Sequence, residues 1–116
     1  MPQYRVNEEA VRHAEELIDK QQYVLDSDWS DAQASTDEEN DFLDDHSWQE
    51  YARWFLAVDP DATKHTKSRY GFDYGDFRRV HRSALIAAKQ RAGSSHHPDI
   101  QKAADRLLEK LDRVKA

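Results

Sequence analysis

From Pro98 onward, Ile100, Ala103, Ala104, Leu107, Leu108 and Leu111 recur every three or four residues, with Val114 one turn further, and every position between them is polar or charged. A stripe of that period fits one face of an α-helix and no face of a strand, so at least one long amphipathic helix is required. A second stripe runs through Ala10, Val11, Ala14, Leu17 and Ile18. It follows Asn7, a good N-cap, and Glu8 and Glu9, acids that suit the positive end of a helix. Alternating apolar runs are nearly absent, and three Gly with three Pro are too few to turn a many-stranded β fold. The expected fold is therefore all-α: a compact bundle of four to five helices, one helical domain over residues 1–116, ending in an antiparallel helical hairpin.

Start signals place the middle helices. Thr36 with Glu39, and Ser47 with Glu50, have capping-box spacing, which predicts a short acidic helix over residues 37–45 and a third helix carrying Trp48, Tyr51, Ala52, Phe55 and Val58. Residues 26–34 and 63–68 are polar and read as connectors. The sequence YGFDYGDF at residues 70–77 holds two glycines and four aromatics, and predicts an ordered loop. Asp76 is then expected to cap a helix running to Ala92, stopped by Gly93.

Charge is segregated along the chain. Residues 1–63 hold 4 Lys/Arg against 17 Asp/Glu, a balance of −13, and residues 64–116 hold 13 against 6, a balance of +7. Projected as a helix, residues 77–92 place Phe77, Val80, His81, Ala84, Ala87 and Ala88 in an arc of ~120° and Arg78, Arg79, Arg82 and Lys89 in a far arc of ~100°. Cations beside the aromatics Tyr70, Phe72 and Tyr74 are the groups that bind phosphate and stack on bases. The simpler reading of the same cations is a solvated face or partners of the acids in the first half, and a further one is a docking surface for an acidic protein. An overall balance of −6 counts against tight non-specific binding to nucleic acid.

Other chemistries find little footing. There is no cysteine, which excludes thiolate metal sites, disulfides and cysteine nucleophiles. His96 and His97 with Asp99 have the donor types of a zinc site, but adjacent histidines seldom converge on one ion, and no metal or cofactor is expected. Ser83 lies two residues from His81, which on a helix turns their side chains apart. No nucleophile-elbow or phosphate-cradling glycine motif occurs, and no enzymatic activity is expected. The longest apolar run, residues 54–58, is far short of the ~20 residues a membrane span needs, and residues 1–11 have no apolar leader core. A soluble, cytoplasmic protein without membrane contact is expected.

The stretch YGFDYGDFRRVHRSALIAAKQRA at residues 70–92, together with YVLDSDWSDAQ at residues 23–33, resembles a family of small uncharacterised actinobacterial proteins, over most of the chain. The resemblance implies a bacterial, cytoplasmic, single-domain protein and brings no activity or catalytic residue with it. The functional expectation is a small non-enzymatic binding or adaptor module. It contacts an acidic or charged protein partner, or a second copy of itself, through Arg78, Arg79, Arg82 and Lys89 with Tyr70, Phe72 and Tyr74 beside them. The alternative is nucleic-acid binding by the same surface.

Overall fold

Asn7 does occupy the N-cap of the first helix, α1 (Glu8–Asp19), yet its side chain caps nothing. Its Nδ2 instead donates to the carbonyls of Ala52 and Phe55, at 2.9 and 3.2 Å, stitching the start of α1 to a distant segment. That segment is where the all-α expectation fails. The computed structural model describes residues 3–115, and it is a mixed α and β protein, with six α-helices packed against two small sheets.

The capping boxes explain the helices of the first half. After β1 (Arg5–Val6), α1, β2 (Tyr23–Val24) and a single turn α2 (Trp29–Ala32), the short helix α3 (Thr36–Asp45) begins one residue from its expected start. Ser35 accepts from Glu38 N, and the Glu38 carboxylate accepts from Ser35 N. Ser47 and Glu50 close the expected box at α4 (Trp48–Ala52). Expected to continue to Val58, this helix stops at Ala52, and the chain straightens into β3 (Phe55–Val58). Four consecutive apolar residues suit a strand covered on both faces as well as a buried helical turn, and periodicity cannot separate the two. Phe55, Leu56 and Ala57 are all buried, with α1, α4 and α6 packed against the strand.

β3 is the centre of an antiparallel sheet of order β1-β3-β4, pairing Val6 with Ala57 on one side and Ala57 with Gly71 on the other. The expected aromatic loop is therefore partly strand, β4 (Tyr70–Asp73), entered through a 3-10 turn over Lys67–Arg69. Gly71 is a spacing residue: a Cβ there would sit 3.0 Å from the Tyr4 ring, which crosses the sheet at that point. The second sheet pairs β2 in parallel with β5 (Val80–His81), so residues 23–24 lie beside residues 80–81.

The C-terminal hairpin is present as expected. α5 (Arg82–Ser94) and α6 (Pro98–Val114) lie side by side, and α6 buries Ile100, Ala103, Ala104, Leu107, Leu108 and Leu111, every member of its stripe except Val114. α5, however, begins five residues later than expected. Asp76 caps not this helix but a tight turn, its Oδ1 accepting from Arg78 N and Arg79 N at 3.1 and 2.8 Å. Nor does Gly93 end it. His97 N donates to Ala92 O and His96 N to Gly93 O, the two bonds of a Schellman stop, and His96 takes the left-handed position with φ of 60°.

Candidate functional site

With α5 starting at Arg82, the projection that grouped four cations on one arc does not apply to Arg78 and Arg79. They sit on the turn between β4 and β5, exposed, and share no helical face with Arg82 and Lys89. The latter two point across the hairpin. Arg82 Nε and Nη2 donate to the two carboxylate oxygens of Asp112 at 3.0 and 3.3 Å, and Lys89 Nζ donates to Asp105 at 2.7 Å. These acids belong to the second half of the chain, so the basic helix is answered mainly by its neighbour in the hairpin. Pairs across the halves exist too, between Lys110 and Asp19 at 2.9 Å and between Lys67 and Glu39 at 3.4 Å. Such surface pairs contribute ~0–1 kcal/mol each, but they cancel the local field that a phosphate or carboxylate ligand would feel.

The aromatics are likewise committed. Tyr74 is fully buried, stacked on Trp54 at 5.5 Å, and its hydroxyl donates to Arg53 O at 2.6 Å. Tyr70 is half-buried between Tyr51 and Phe55. Phe72 is 6 % exposed. Bases stack on aromatic faces that are open to solvent, and this surface offers no such platform.

Phe72 nonetheless belongs to the most ligand-like depression. A groove of about 820 Å³ runs between the edge of the sheet and the α5–α6 turn, lined by Tyr4, Phe72, Gln90, Arg91, Ser94, Ser95, His96 and His97. The Tyr4 ring meets Phe72 edge-on at 5.6 Å, the His97 ring lies 5.9 Å from both, and the Arg91 guanidinium stands 5.1 Å over the Phe72 ring. Arg91 makes no ion pair among the described residues, although its charge reaches Asp73. Burial pushes the Asp73 carboxyl up, and a hydrogen bond from Gln33 and the Arg91 charge pull it partly back. Among the described residues no Asp or Glu lines this groove. The larger groove of about 960 Å³ between α5 and α6 holds Asp105, Glu109 and Asp112, and the one of about 780 Å³ between α1 and α6 holds Glu8, Glu15, Asp99 and Glu109. Phe72 and His96 are both held at positive φ, 62° and 60°, a conformation that costs a side-chain-bearing residue ~1–2 kcal/mol. Strain of that kind gathers at sites where the surroundings fix a side chain's direction.

The histidines are held by hydrogen bonds to nearby side chains. His97 Nδ1 lies 2.8 Å from Ser95 Oγ, with its ring in the groove wall, and among the described residues no group of three or more His, Asp or Glu side chains is arranged to hold a metal ion. His81 is 4 % exposed, its Nε2 at 2.8 Å from Asp76 Oδ2 and its Nδ1 at 2.8 Å from Ser27 Oγ, which in turn lies 2.9 Å from Ser83 Oγ. Burial raises Asp76, but the bonds from His81 and from Arg79 N outweigh it and hold the carboxyl below its ordinary range.

Sequence reasoning missed Arg91, Tyr4 and Ser27. Arg91 lies ~200° round the helix from Lys89, outside the arc that drew attention, and Tyr4 and Ser27 come from segments with no periodic signal. No helix of the described residues is long and apolar enough to cross a membrane. No family model, curated protein or solved structure matches the chain, so no residue role reaches this site by similarity.

Proposed function

We propose that the chain is a small binding module that docks a short acidic protein segment in the groove between β4 and the α5–α6 turn. A bulky apolar side chain of that segment lies against Tyr4 and Phe72, and a neighbouring carboxylate meets Arg91. The observation that carries this reading is that, on a chain of net charge −6, this large apolar groove has a cation at its rim and no acid in its lining. A concave apolar surface with few, well-placed polar groups is the usual form of a recognition site. The basic helix of the sequence expectation is retained, but the contact moves from its Arg82 and Lys89 side to its C-terminal end.

The test is calorimetric titration with an acetylated peptide of Asp and Glu around a single Leu or Phe. Arg91→Glu should weaken binding at least ~10-fold, about 1.4 kcal/mol, while Arg82→Glu leaves it within a factor of ~3. Equal affinity for wild type and Arg91→Glu sinks the reading. So does retention of heparin or single-stranded DNA with affinity that falls steeply with salt, or concentration-dependent self-association that the peptide fails to compete.

A further inference from the structure

We propose that Ser27 is an activated nucleophile, with His81 as its base and Asp76 holding that base, and that it accepts acyl groups from small esters. The geometry is a continuous chain of hydrogen bonds drawn from three separate segments of sequence. Asp76 comes from the turn after β4, His81 from the end of β5, and Ser27 from the loop between β2 and α2. The parallel pairing of β2 with β5, Tyr23 beside Val80 and Val24 beside His81, sets the serine loop against the histidine.

Proton positions follow from the partners. The Asp76 carboxylate already accepts from Arg78 N and Arg79 N, and is held in its charged form, so His81 Nε2–H donates to it. In the neutral imidazole Nδ1 then carries the lone pair, and Ser27 Oγ–H donates to it across 2.8 Å. With the Ser27 proton directed at His81, Ser83, in the first turn of α5 and 2.9 Å away, is left to donate to Ser27 Oγ, which keeps a further lone pair. Nucleophile, base and orienting carboxylate within hydrogen-bond reach is the arrangement that activates a serine. His81 is sealed from solvent and its ring is packed 5.3 Å from that of Trp29, whereas Ser27 and Ser83 are only half-buried and can meet a reagent. Leu25, 37 % exposed on the same loop, and half-buried Trp29 offer apolar surface suited to a short acyl chain.

The step balances without a further reactant. The Ser27 proton passes to His81 Nδ1 as Oγ bonds the acyl carbon, the carbon–oxygen bond to the alcohol breaks, and the departing oxygen takes the proton from His81. Asp76 stabilises the imidazolium in between. Water then repeats the sequence on the acyl-serine, releasing the acid and restoring Ser27.

Intact-mass and peptide mapping after exposure to a fluorophosphonate reagent reads this directly, with p-nitrophenyl acetate hydrolysis alongside. A single adduct on Ser27 is expected, absent in Ser27→Ala and unchanged in Ser30→Ala, an exposed serine bonded only to its neighbour Asp28. Asp76→Asn should slow labelling ~100-fold or more while circular dichroism shows the fold intact. No adduct on Ser27, or labelling of Ser27 at a rate indifferent to Asp76→Asn, overturns the proposal.

Discussion

The hairpin of α5 and α6 and the stretch from Trp54 to His81 that precedes it are built on opposite plans. In the hairpin, side chains repeat on a helical period, and one face of α6 disappears into the core from Ile100 to Leu111. In the preceding stretch, three short strands, a tight turn and residues at positive φ are held by bonds that cross long spans of sequence, such as Tyr74 to His13 and Val80 to Gln22. One region takes its shape from repetition. The other is set by individual fits, where a single atom too many is as damaging as one too few.

Three substitutions test that contrast. Leu111→Ala, at a fully buried position, should cost ~2–5 kcal/mol by leaving a cavity in the hairpin, measured as a lowered denaturation midpoint at unchanged m-value. Gly75→Ala should cost ~1–3 kcal/mol for the reverse reason, since the new Cβ would sit 2.5 Å from Arg79 O and 2.7 Å from the Trp54 ring. Were Gly75→Ala harmless, the stretch would be far more pliable than its contacts imply, and the contrast would fail. The smallest change should be a gain. Burial raises the Asp73 carboxyl, and a group with a raised folded pKa favours the fold at pH below its unfolded value near 3.8 and loses that contribution as pH rises through the folded value. Asp73→Asn should therefore raise Tm at pH 7 and leave it nearly unchanged at pH 3, with Gln33 able to donate to the amide oxygen.

The same contrast explains what could be read from sequence. The Ser47–Glu50 box and the whole of α6 were legible because each depends on residues within a few positions of one another, whereas α1 starts at the expected place but with Asn7 bonded to Ala52 and Phe55 and capping nothing. The strands were not. β1, β2 and β5 are two residues each, too short for any period, and β3 is an apolar run that fits either structure. Extending α5 back to Phe77 then carried Arg78 and Arg79 onto a helix they do not join, and made Asp76 a helix cap when its carboxylate closes a turn and binds His81. Of the expected surface, only Phe72 lines the groove proposed here. Arg91 and Tyr4 complete it because α5 ends beside the sheet, a fact of tertiary packing with no local signature.

Glycine usage separates the regions again. Among the described residues all five positive-φ positions, Gln21, His65, Phe72, Phe77 and His96, carry side chains, and none of the glycines takes such an angle. Gly71 and Gly75 are needed for close approach to Tyr4 and Trp54, so the strained angles are borne by residues whose side chains contact their surroundings, among them Phe77, stacked on Phe42 at 4.5 Å.

The two sheets also set an order of events during synthesis. β1 waits for residues 57–58, and β2 for residues 80–81, so during synthesis each of these early strand segments stays unpaired until its distant partner has emerged. The α5–α6 hairpin closes on neighbours only, and needs nothing from upstream to begin. The hairpin can thus organise without waiting for those pairings, and supply the surface on which the earlier strands and α1 settle, because loop closure over short separations is the faster event.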